Sequence, residues 1–198
     1  MTKMHFTTRP FLFCIGWLVA TGTTVLADPV EVINPSFESP VLKPGGFVIG
    51  LADGWVVTGT SGVIYPVDFE FNLPVPDGNQ VAFANYDTGQ LAQTLDATLL
   101  SNTTYTLTVY VGKRLDCCSP GTYIVALYAD TELLGYESSQ DPSPGDFAVS
   151  TVSFTSGDPD PLEGLPLQIV LYATGLGQSQ VAFDNVSLDA TPVEMKRR

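Results

Sequence analysis

The chain has 198 residues, with 21 acidic and 8 basic side chains, a single histidine and a formal net charge of −13. So acidic a surface repels nucleic acid and anionic lipid, which excludes both as partners. With 44% hydrophobic residues, the length suits one domain with a full core.

The first element is a leader. Lys3 and Arg9 form a short basic region, and "FLFCIGWLVA" (Phe11 to Ala20) is an apolar run too short to span a bilayer. "VLA" before Asp28 has the small-residue pattern of a cleavage site. Residues 1–27 are therefore expected to be a secretory signal peptide, the alternative being an uncleaved anchor. The mature protein would be periplasmic or secreted, with no later segment that spans a membrane. Cleavage removes two bases, no acids and His5, so the net charge moves to −15. Without histidine there is no Ser-His-Asp or Cys-His chemistry and no His-ligated metal. Acid–base work falls to carboxylates or tyrosines, and Ca²⁺ is the metal that suits the many oxygen ligands.

Residues 28–193 are expected to form one domain, with 194–198, ending in "KRR", as a solvated tail. "VINPSFESP" (Val32 to Pro40) sets Glu38 between Phe37 and a Ser39-Pro40 turn. Short strands are predicted at "GFVIG", "GWVVT" and "GVIYPV", each bounded by Gly or Pro. "PDGNQ" (Pro76 to Gln80) is a turn bearing a carboxylate, amides and free carbonyls, and "NQVAFANY" is the strand after it. "TYTLTVYVG" (Thr104 to Gly112) alternates most clearly. Tyr105, Leu107, Val109 and Val111 share one face; three threonines and Tyr110 share the other. "DCCSPG" holds Cys117 and Cys118, open to a strained vicinal ring, a link between chains or free thiols. "TYIVALY", "FAVSTVSFT", "LQIVLYA" and "QVAFDNVSL" complete the series. Eight or more short strands joined by Pro/Gly turns predict an antiparallel β-sandwich.

In "VAFDNVSL" (Val181 to Leu188), strict alternation puts Asp184 on one face with Ala182, Val186 and Leu188. A carboxylate among apolar neighbours needs a metal, a partner or a proton. Glu38, the "PDGNQ" turn and Asp184 together supply two or three acids and several neutral oxygens, although no contiguous EF-hand loop is present.

The series "NPSFE … GW … PDGNQVA … NTTYTLTVYV … VAFDNVSL" resembles the jelly-roll carbohydrate-binding modules of the galactose-binding-like class. The resemblance implies a structural Ca²⁺ held by Glu38, a carbonyl near Ser36, Asp77, a carbonyl near Asn79, and Asp184. A closer likeness rests on "DPVEVINPSFESP", "DGWVVTGTSGVIYPV", "PDGNQVAFANYDTGQLAQTL" and "VAFDNVSLDA", which are similar to the Stig cyclases. That family implies a calcium-dependent enzyme of indole alkaloid biosynthesis, dimeric or assembled with related cyclases. Its substrate is a geranylated isonitrile-indolenine, and its chemistry a Cope rearrangement, a cationic cyclisation and an electrophilic aromatic substitution, without a redox cofactor. The catalytic acid falls on Asp184, and the aromatics available to line a pocket are Trp55, Tyr65, Phe71, Phe83 and Tyr110. A Ca²⁺-bound carboxylate is a poor proton donor, so Asp184 has one role or a nearby acid such as Asp189 has the other. Two other classes compete. A secreted carbohydrate-binding module would show two or three exposed aromatics in an open groove and no catalytic acid, and a structural surface protein of the export pathway would show neither.

Overall fold

The structure, a computed structural model, describes residues 26–85, 88–120, 122–174 and 179–194. Residues 1–25, within the expected signal peptide, and 195–198, within the expected tail, lie outside the described residues. Thirteen strands follow in chain order: β1 Asp28–Val30, β2 Phe47–Ile49, β3 Val56–Thr58, β4 Ser61–Ile64, β5 Val81–Asn85, β6 Gln90–Thr98 and β7 Thr103–Gly112. Then come β8 Ser119–Pro120, β9 Thr122–Ala129, β10 Glu132–Glu137, β11 Phe147–Thr155, β12 Pro166–Thr174 and β13 Ser179–Pro192.

They make two sheets. One has the order β11-β7-β13-β5-β4-β2, with β1 and β8 also paired to β13; the other has the order β10-β9-β12-β6-β3. All pairings are antiparallel except β8 with β13. This is the antiparallel β-sandwich that the turn spacing predicts, in the jelly-roll form that the resemblance implies. Among the described residues, no helix is long and apolar enough to cross a membrane.

Alternation builds the core. Tyr105, Leu107, Val109 and Val111 of β7 point inward and meet Leu127, Ile169 and Leu171 from the opposite sheet. Two buried amides tie loops to this core. Gln93 accepts the Ile33 N–H at 2.8 Å and donates to the Ile33 carbonyl at 2.9 Å. Gln80 donates to the carbonyls of Phe37 and Pro40 and accepts the Leu42 N–H. Each amide satisfies backbone groups that would otherwise be buried unpaired.

A second, smaller apolar cluster lies on the outer face of the larger sheet. The connection between β4 and β5 folds across that face, and its Phe71 and Val75 pack on Ile64, Val81, Phe83 and Ala182. Phe147 stacks on Phe71 with centroids 5.1 Å apart. Glu70 closes the turn before this strap by accepting the Val67 N–H. Arg114, in the loop after β7, fastens that turn with a 2.7 Å ion pair to Glu70. Farther along the same loop, Cys117 and Cys118 form a vicinal disulfide, the first of the three states open to them.

The strict alternation expected along "VAFDNVSL" does not hold. Asp184 pairs with Tyr110, but the next registered pair is Ser187 with Thr108, so β13 carries one extra residue there. Asn185 absorbs it at φ 47°, a left-handed conformation that asparagine tolerates. Asp184 therefore stays with Ala182 on the outer face, whereas Val186 and Leu188 turn into the inter-sheet core.

Candidate active site

Asp184 is fully buried. Its cross-strand partner Tyr110 points to the same outer face, beside Phe83 of β5, which pairs with Ala182. Above it the strap descends, and the Asp77 N–H donates to Asp184 Oδ2 at 2.9 Å. The Asn185 N–H donates to Oδ1 at 2.7 Å. Burial pushes the Asp184 carboxyl up to about 8; the two N–H donors oppose this, and the nearby Asp77 and Glu38 carboxylates add to the rise. The rise favours the protonated carboxyl.

Two clefts open on this face, and Asp184 itself lines neither. One cleft of about 320 Å³ is lined by Asn72, Pro74, Pro76, Tyr110, Asp146 and Phe147. The other, about 310 Å³, is lined by Tyr65, Leu73, Pro74, Val75, Gly78 and Asn79. Pro74 belongs to both, so the strap divides a single groove over the sheet. Farther along the same face, Phe47 and Ile49 of the edge strand β2 stand exposed, in register with Ile64 and Gly62. The linings mix aromatic and proline rings with the polar side chains of Asn72, Asn79 and Asp146.

Of the aromatics expected in a pocket, the structure brings four to this face. Phe71 and Phe83 form its buried cluster, and Tyr65 and Tyr110 line the clefts. Trp55 is elsewhere: it lies in the inter-sheet core against Phe37, and its indole N–H donates to the carbonyls of Ile33 and Asn34. Its apolar body and single donor serve a buried loop junction instead of a ligand. Phe147 and the Asn72–Asp146 hydrogen bond of 2.7 Å at the rim were not anticipated. The two prolines flanking Val75 were the one sequence signal that an extended strap lay here.

The residues expected at a metal site do gather. The Ser36 hydroxyl donates to Asp77 Oδ2 at 2.5 Å. Glu38 Oε1 accepts the N–H groups of Asn79 and Gln80 at 2.7 and 2.6 Å. Gly78, at φ +67°, makes that approach possible, because a Cβ there would sit 2.4 Å from Glu38 Oε1. Asn79 Oδ1 accepts the Tyr65 hydroxyl at 3.2 Å. The donors are all oxygens, the set a hard cation takes. Ion pairs among the described residues join Lys113 to Asp141 and Arg114 to Glu70 and Asp116, none of them in this acidic group. Among the described residues, however, no three His, Cys, Asp or Glu side chains close on one point as a metal-holding group does. Ca²⁺ here would need backbone carbonyls beside Glu38 and Asp77.

A β-sandwich with one fully buried carboxyl beneath an aromatic sheet face is the arrangement that comparison with known proteins places in a family. A family model described as HpiC1-like, HpiC1 cyclase, matches residues 28–189, and the chain belongs to that family. Solved relatives agree. A Stig cyclase, Fisc, from Fischerella sp. TAU in complex with (3Z)-3-(1-methyl-2-pyrrolidinylidene)-3H-indole is 28% identical. It matches with a TM-score of 0.77 over 85% of this chain and 100% of that one. An apo cyclase from Fischerella sp. is 30% identical, over 85% and 98% of the two chains, with a TM-score of 0.74. A Fischerella sp. TAU cyclase in complex with 4-(1H-indol-3-yl)butan-2-one is 29% identical over 85% and 100%, with a TM-score of 0.75. A search of curated proteins finds no sequence match.

Proposed function

We propose that this cyclase folds a geranylated isonitrile-indolenine beneath the strap and converts it by Cope rearrangement, cationic ring closure and electrophilic aromatic substitution. The observation that carries the reading is Asp184: a fully buried carboxyl on the same sheet face as Tyr110 and Phe83. It donates its proton to the imine nitrogen of the substrate, which makes the allylic system electron-poor and promotes rearrangement. The faces of Tyr110, Phe83 and Phe147 stabilise the carbocation that follows. The strap excludes water, which would otherwise trap the cation, and holds the prenyl chain close to the ring. Binding of indole compounds by the related Fischerella cyclases supports this substrate class.

Ca²⁺ would be held by Glu38 and Asp77 with carbonyl oxygens near Ser36 and Asn79. When bound it supplies a fixed positive charge that neutralises those two carboxylates and ties the N-terminal segment to the strap. Asp184 is assigned to acid catalysis and not to the metal, because it is fully buried and burial pushes its carboxyl up. With Ca²⁺ at the neighbours, burial, the largest cause of its raised pKa, remains. The protein works as a homodimer or in assemblies with related cyclases, after export and removal of residues 1–27.

The test is incubation of purified protein with the geranylated isonitrile-indolenine, with Ca²⁺ or with chelator. Tetracyclic product in the Ca²⁺ sample is expected. Unchanged substrate in both samples, with the protein folded, would overturn the assignment.

A further inference from the structure

The outer face of the five-stranded sheet, opposite the proposed active site, has a different chemistry. Tyr172 of β12 pairs with Ile124, Leu133 of β10 with Tyr128, and Tyr136 of β10 with Ala126. All six point outward around one open depression of about 170 Å³. Tyr136 is 59% exposed, and Tyr128 and Tyr172 are partly so. Burial, then the phenols of Tyr128 and Tyr136, push the Tyr172 phenol up, as expected for three hydroxyls facing one space.

The registers also fix what surrounds the tyrosines. Toward β6 the outward row continues through Gln168 and Thr94, joined by a 3.0 Å hydrogen bond, and through Tyr172 and Gln90. Toward β3 it ends in Val56 and Thr58. From β10 to β3, no outward residue in these paired rows is charged. Glu132 and Glu137 of β10 pair with the inward residues Ala129 and Val125, and Asp96, two residues beyond Thr94 on the same outward side, marks an acidic edge of the face. A neutral face spanning five strands is unexpected on a chain with 21 acids and a net charge of −13.

We propose that this face is a second binding site, for a neutral, flat-ribbon glycan of β-1,4-linked pyranoses. Charge complementarity selects the occupant. The acidic remainder of the surface repels anionic polymers, and the face offers a neutral ligand no unpaired charge to desolvate. Tyrosine rings present flat apolar surfaces to the C–H faces of a sugar ring, and their hydroxyls remain available to hydrogen-bond sugar hydroxyls. Gln90, Gln168 and Thr94 supply neutral donors and acceptors along the same rows. Such a site would tether the exported enzyme to a polysaccharide while leaving the acid on the other sheet untouched.

The experiment is calorimetric titration of the full chain with cellohexaose, with the same titration of Tyr136→Ala and Tyr172→Ala, and affinity electrophoresis in hydroxyethyl cellulose against carboxymethyl cellulose. Expected are saturable binding of cellohexaose, at least tenfold loss in either variant with unchanged melting temperature, and weaker retardation by the anionic polymer. Absence of binding by the wild type at 10-fold excess over 1 mM protein would overturn the proposal, as would equal binding by both folded variants. Sedimentation showing a dimer that Tyr136→Ala dissociates would also overturn it, assigning the face to a second copy of the chain.

Discussion

Asp184 gives the most specific predictions at the level of single residues. Its folded pKa is raised, from 3.8 to about 8, so its contribution to stability is fully present below 3.8 and is lost as pH rises toward about 8. Wild-type melting temperature should therefore fall over that window more steeply than that of Asp184→Asn; parallel slopes in thermal melts across pH would contradict the burial of a neutral acid. Glu137 has the opposite sign. Burial raises it, but hydrogen bonds from Ser139, Tyr123 and Ser150 prevail and hold its carboxyl at about 2, below 4.5. Its contribution is present above 4.5 and lost as pH falls toward 2, so Glu137→Gln should flatten the acid limb of the same melts. The aromatics divide by burial. Phe83, nearly enclosed, should cost about 3–5 kcal/mol as Phe83→Ala, measured by denaturant titration. Tyr110, half-buried at a cleft, should leave stability nearly unchanged as Tyr110→Ala and instead alter product ratios, since about 1.4 kcal/mol between competing closures shifts them tenfold.

Many of the β-strands were legible in the sequence from their alternation, although β6, Gln90–Thr98, was missed. "TYTLTVYVG" became β7 with its four inward residues as read, because alternation is imposed by the pleat itself. Short edge elements such as β1 and β10 were not legible, because three exposed residues or a bulged hairpin carry little periodicity. Nor was the slip in β13: nothing in "FDNVSL" marks Asn185 as left-handed, yet that one dihedral decides which core Val186 joins. At the site, the acids singled out in the sequence, Glu38, Asp77 and Asp184, lie near one another, but aromatic identity alone did not separate Trp55, a core residue, from Tyr110. Two substitutions probe these devices. Asn185→Val should lose about 1–3 kcal/mol by forcing a β-branched residue to positive φ, whereas Asn185→Gly should be near neutral. Gly78→Ala should be similarly costly, because its Cβ meets the Glu38 carboxylate, and it should release the strap from Asp184. Denaturant midpoints check all three.

The whole molecule is a sandwich with unlike outer faces. The larger sheet is roofed by a strap and holds a buried acid; the smaller is open, neutral and rich in tyrosine. On so acidic a chain the neighbouring carboxylates of Glu38 and Asp77 are unfavourable without a cation, so Ca²⁺ should stabilise the fold by about 2.7 kcal/mol at a hundredfold excess over Kd. Thermal melts with chelator and with Ca²⁺ should then differ; equal midpoints would remove the metal from the account. The central claim is that Asp184 delivers the proton that starts cyclisation. Turnover of the geranylated isonitrile-indolenine by Asp184→Asn, followed across a Ca²⁺ titration with melting in parallel, tests it most directly. The account predicts a loss of about 10²-fold or more that Ca²⁺ does not restore, in a protein at least as stable as the wild type. Turnover at the wild-type rate, or activity that returns in full at high Ca²⁺, would contradict it.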